Sequence, residues 1–159
     1  MQNDKVDIEE LLEQGNTIQI HTQGYSMYPM FIPGRDEAVI KQAVPADLRR
    51  GDVVLYRRKT GILVLHRIWK HTSDGFYMVG DNQTEIEGPL EDSQIKGVLM
   101  AFIRKGNYIE TTQLFYRLIS RCWLFARPFR SPIMRAASGI KKQYRKLAER
   151  RKPKNRNLS

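Results

Sequence analysis

Between Thr17 and Lys105, six short runs rich in β-branched and large apolar residues follow one another: TIQIHT, EAVIKQ, DVVLYRR, ILVLHRIWK, GFYMVG and IKGVLMAFIRK. Gly, Pro, Asp or Asn punctuates the intervals, and strands this short, between turn residues this frequent, confine the region to an all-β arrangement. Some runs alternate and others are continuously apolar, as half-buried and fully buried strands of one compact sheet or barrel do. The chain has 159 residues, 41% of them hydrophobic and 28% charged, which is enough for one domain with a core and little more.

The flanks have a different period. Residues 6–14, VDIEELLEQ, set Val6, Ile8, Leu11 and Leu12 on a short amphipathic helix with early acids. After Gly106 the β pattern stops, and residues 112–127, TQLFYRLISRCWLFAR, bring Leu114, Phe115, Leu118, Ile119, Cys122 and Trp123 to helical spacing with Arg117 and Arg121 on the flank. Beyond Pro128 and Pro132 a Lys/Arg-rich stretch is predicted to be helical near 135–150. The expected organisation is a helical lead-in over 1–16, a β domain over 17–106 and a basic, partly amphipathic helical tail over 107–159.

Charge divides at the same place. Residues 104–159 hold sixteen Lys and Arg against Glu110 and Glu149, a net +14, whereas residues 1–103 are about −4. The single cysteine, Cys122, excludes an internal disulfide. With only His21, His66 and His71 beside it, no zinc cluster of sensible spacing can be drawn, and no metal or other cofactor is expected. The N-terminus lacks the basic and apolar regions of a secretion signal, and no apolar run approaches the roughly 20 residues that span a bilayer. The expected location is cytoplasmic or peripheral on a membrane.

Four clusters inside the β region call for an explanation. Gly24-Tyr25-Ser26-Met27-Tyr28-Pro29 sets a serine between glycine and proline just after a predicted strand, where a plain turn would also use these residues. Gly51-Asp52-Val53-Val54-Leu55-Tyr56 is a turn feeding an apolar strand and reads as scaffold. Val64-Leu65-His66-Arg67-Ile68 puts a histidine on an otherwise apolar strand, ordinarily a core histidine with a satisfied hydrogen bond. Gly80-Asp81-Asn82 is a tight turn followed by Glu85 and Glu87.

Taken together, in this order and spacing, the four resemble the type I signal peptidases and the related self-cleaving repressor proteases over roughly residues 17–104. Where the usual bacterial enzymes and the repressors have a lysine, this chain has His66, so it is most similar to the histidine-containing signal peptidases of the endoplasmic reticulum and archaeal type, without their N-terminal membrane anchor. The resemblance implies a mainly β fold, a small antiparallel assembly with the serine on a loop at its edge. It also implies a serine endopeptidase that cleaves leader or signal segments from precursor peptides or proteins, with Met27 and Pro29 near the substrate.

The residue chemistry agrees. Serine needs a neighbouring base to take its proton, and imidazole is suited to that near neutral pH, so Ser26 is the expected nucleophile and His66 its general base. A carboxylate at the far ring nitrogen would orient the base: Asp81 is the first candidate, Glu87 the second, and Glu85 a further one. The backbone N–H of Ser26 is the expected oxyanion donor, with no side-chain donor from Gly24. Pro33-Gly34-Arg35-Asp36 departs from the family's usual Gly-Asp pair by an inserted arginine.

For the basic segment three partners are weighed. Leu114, Phe115, Leu118, Trp123 and Phe125, flanked by Arg117, Arg121, Arg127 and Arg130, fit an interfacial helix on anionic lipid, at about 1 kcal/mol per basic side chain near the surface. Alternatively the apolar stripe packs on the β domain and the charges are solvated. Nucleic acid is disfavoured, because the N-terminal sixteen residues are too few and too acidic to supply a helix-turn-helix. The competing function is a non-catalytic regulatory or binding module that keeps the peptidase scaffold.

Overall fold

The computed structural model describes residues 7–130. The stretch expected to be helical near 135–150 lies outside the described residues, as does Val6. All the elements below belong to the compact unit that ends at Arg127.

The six apolar runs become β1 (Ile18–His21), β2 (Asp36–Gln42), β3 (Val53–Arg57), β4 (Leu63–Thr72), β5 (Gly75–Val79) and β7 (Ile95–Arg104). Two further strands run against the sequence pattern. In β6 (Glu87–Leu90) the Gly88-Pro89 pair reads as turn punctuation, yet the strand lies at the end of the sheet and pairs irregularly with β5, a position that tolerates proline. In β8 (Asn107–Glu110) the β structure continues past Gly106 rather than stopping there. Lys105 and Gly106 have φ of 52° and 78°, the left-handed pair that a two-residue hairpin requires, and they return the chain along β7.

Every pairing is antiparallel, in the order β1-β2-β7-β3-β4-β5-β6. Along one edge β7 runs beside β2; along the other it runs first beside β3 and then beside β8. The fold is therefore mainly β, one antiparallel sheet with a few helices.

The continuous VVLY run of β3 is explained by burial on both faces. Val53 and Leu55 join a cluster with Leu12, Phe31 and Phe102, whereas Val54 and Tyr56 join another with Ile68, Phe76 and Met78. Each fully buried aliphatic side chain contributes about 1.5–3 kcal/mol. At the N-terminal end, Asp7 caps α1 (Ile8–Glu13) by accepting from the Glu9 N–H at 2.9 Å, and the helix sets Leu12 into the first cluster. Thus the N-terminal helix contributes to the core. The second helix, α2 (Leu114–Phe125), buries Tyr116, Ser120 and Leu124. Among the described residues, no helix is long and apolar enough to cross a membrane.

Candidate active site

His66 sits in the middle of β4, opposite Val54 of β3, and is 2% exposed. Tyr56 pairs with Val64, which makes Tyr56 and His66 diagonal neighbours across the two strands. The Tyr56 hydroxyl lies 3.0 Å from His66 Nδ1 and donates to Glu87 Oε2 at 2.7 Å. Glu87 in turn accepts from Arg58 through both oxygens, Nε at 2.7 Å and Nη2 at 2.6 Å.

The direction of this chain follows from proton counting. A tyrosine has one hydroxyl proton, and here it is committed to Glu87, so toward His66 the oxygen can only accept. His66 therefore carries its hydrogen on Nδ1, and Nε2 keeps a lone pair for an incoming proton. Burial lowers the His66 pKa to about 4, against the opposing field of Glu87, so the ring is neutral around pH 7. Burial and the bond to Glu87 push the Tyr56 hydroxyl well above its ordinary range. Burial works against ionisation of Glu87, but the hydrogen bonds from Arg58 and Tyr56 outweigh it and hold its carboxyl below the usual value.

Ser26 lies in the loop between β1 and β2, and its surroundings show what the Gly80-Asp81-Asn82 turn does. Asn82 N–H donates to the Ser26 carbonyl at 2.7 Å. A Cβ on Gly80 would come within 2.7 Å of that same carbonyl oxygen and 2.6 Å of Gln83 Oε1, so only glycine lets the two loops meet. Further along, Arg104 donates to Met30 O at 2.7 Å, and the Ile32 N–H donates to Asp36 Oδ2 at 2.9 Å. Asp36 is fully buried between Arg35 and Arg104; burial opposes its charge, but these partners bring its pKa down to about 2. Arg35 is thus the second cation of this anchor.

Ser26 and His66 line one cleft of about 590 Å³, together with Gly24, Met27, Arg58 and Gln83. Among the described residues the Ser26 N–H has no backbone acceptor. Of the two expected substrate contacts, Met27 lines the cleft from within the core, whereas Pro29, joined to Tyr28 by a cis peptide bond, is not among its lining residues.

The three candidate carboxylates separate cleanly. Asp81 is fully buried and accepts from Arg67 Nε at 2.9 Å and Nη2 at 2.7 Å. Arg67 Nη1 reaches Gly51 O at 2.7 Å and Ser120 Oγ at 2.9 Å, and Trp123 Nε1 donates to the Asp81 carbonyl at 3.0 Å. Asp81, expected to orient His66, ties Arg67 into a buried node while its charge still acts on His66, and Glu87 is linked to His66 through Tyr56. Glu85 is exposed and, among the described residues, forms no ion pair.

The four sequence clusters are now one object: Gly51 accepts from Arg67, Arg67 binds Asp81, and the adjoining Gly80 and Asn82 hold the Ser26 loop. Sequence reasoning missed Tyr56, Arg58 and Gln83. Tyr56 and Arg58 are two apart, the spacing of one strand face, but only the approach of Glu87 from β6 gives them a role. No protein-family model, curated protein or solved structure matches the chain.

Proposed function

We propose that this chain is a serine endopeptidase with a signal-peptidase-type assembly, cutting leader or signal segments from precursor peptides or proteins. The observation that carries the reading is the ordered chain His66–Tyr56–Glu87–Arg58 beside a serine in the same cleft. A buried histidine kept only for packing does not need its tautomer set by a tyrosine that is itself tied to a charged carboxylate, nor a serine lining the same cleft.

In this mechanism Ser26 Oγ attacks the scissile carbonyl as its proton passes to His66 Nε2. The imidazolium is stabilised through Nδ1–H to Tyr56 and, beyond it, by the Glu87 charge. The Ser26 N–H receives the oxyanion. His66 then gives its proton to the departing amine, the C–N bond breaks, and an acyl-serine ester remains. Water, deprotonated by His66, hydrolyses that ester and restores Ser26. Tyr56 and Glu87 are positioning residues throughout.

The test is mass spectrometry of a peptide library with small residues before the scissile bond, incubated with the full chain, Ser26→Ala or His66→Ala. Expected is cleavage by the wild type alone, with either replacement lowering the rate by at least about 10³-fold while circular dichroism stays unchanged. The kcat/KM profile should keep its activity below the ordinary histidine range and fall only as pH drops through about 4, where His66 protonates. Cleavage that survives Ser26→Ala, or an intact library with folded wild type, refutes the assignment and favours a binding module.

A further inference from the structure

Helix α2 has two faces of opposite character. At about 100° per residue, Trp123, Tyr116, Ser120 and Leu124 fall on one side, which is the side packed on the sheet. Leu114, Phe125, Leu118, Cys122, Phe115 and Ile119 fall within about 140° of one another on the other. That stripe faces outward: Leu114 is 83% exposed, Phe115 74%, Leu118 58% and Phe125 83%. The apolar stripe of the sequence is therefore exposed, except that Trp123 belongs to the inner side.

Arg117 and Arg121 fall between the two faces, along one border of the stripe. With Arg49 and Arg50 they line a cleft of about 220 Å³. Among the described residues none of these four arginines has an ion-pair partner; the guanidinium of Arg50 lies 4.5 Å over the Trp69 ring. Asp52 is the one acid in the lining, and it accepts from the Arg49 N–H at 2.8 Å. Tyr116 also lines the cleft, its hydroxyl beside the buried Arg67 guanidinium.

We propose that this face of α2 lies on an anionic lipid surface, with the apolar stripe at acyl-chain level and a lipid phosphate held in the arginine cleft. The two features explain each other only in this way. Nucleic acid would satisfy the arginines and leave six apolar side chains in water. A second copy would cover the stripe but bring the same arginines together. A membrane surface offers negative headgroups and hydrocarbon a few ångströms apart, matching the cleft and the stripe. The net +14 of residues 104–159 has the sign that such a surface attracts. The proposal does not rest on Ser26 or His66.

The experiment is co-sedimentation of the full chain with phosphatidylglycerol/phosphatidylcholine vesicles and with phosphatidylcholine vesicles, with duplex DNA titrated in parallel. The variants are Phe115→Ser/Leu118→Ser, which alter only exposed positions, and Arg117→Gln/Arg121→Gln, with thermal melting to check the fold. Expected is binding to the anionic vesicles alone, weakened at least about tenfold by the first pair and roughly 30-fold by the second. Equal binding to both vesicle types, or anionic binding untouched by either folded variant, overturns the proposal. So does DNA binding that the arginine pair abolishes while vesicle binding persists, or a dimer that the apolar pair dissolves without changing sedimentation.

Discussion

Tyr56 holds the least expected position in the molecule, because a tyrosine at the end of an apolar strand ordinarily only fills space. Here its hydroxyl is 3.0 Å from the imidazole and 2.7 Å from a carboxylate. Tyr56→Phe keeps the ring and removes the hydroxyl, so His66 loses the acceptor that fixes its tautomer. A hydrogen bond to a charged partner is worth about 1.5–3 kcal/mol, so kcat/KM for peptide cleavage should fall roughly 10- to 100-fold with KM little changed. An unchanged kcat would mean that Glu87 does not act through Tyr56. His66 itself was legible in the sequence, since a titratable ring on an apolar strand stands out. Tyr56 was not, because its meaning lies in a contact with a residue 31 positions away.

At the scale of elements, the strands visible in the sequence are those whose apolar period is imposed by a core, and the two that were missed are short and lie at the margins of the sheet. For β6 the proline hid the strand, and for β8 four residues are too few to show a period. The candidate carboxylates show the same limit. Asp81 and Glu87 both follow β5, and only the fold separates them: Asp81 is enclosed with Arg67, while Glu87 comes in on β6. Their variants should separate in the same way. Asp81→Asn leaves a buried guanidinium without its counter-charge and should cost about 3–5 kcal/mol, read as a lower urea midpoint. Glu87→Gln breaks a partly exposed pair, worth at most about 1 kcal/mol of stability, so its effect should show in the cleavage rate instead. Equal losses of stability in the two variants would contradict this division.

For the whole molecule, acid should be destabilising in two stages. His66 has a pKa of about 4 in the fold against 6.5 ordinarily, so the unfolded chain takes up a proton first as pH falls. The stability this group contributes is complete above about pH 6.5 and is withdrawn as pH drops toward 4, by roughly 3 kcal/mol. Asp36, at about 2 against 3.8, withdraws roughly 2 kcal/mol more between those values. Denaturant melts between pH 7 and 2 measure both, and His66→Asn should flatten the upper stage. The anchoring of the serine loop also bears on synthesis. Ser26 emerges early, but its carbonyl is held by Asn82, its loop by Arg104, and the node beneath by Ser120 and Trp123 of α2. Ser26 therefore acquires its final position only when α2 is in place, and under the proposed mechanism a half-made chain carries the serine without the setting that would make it reactive.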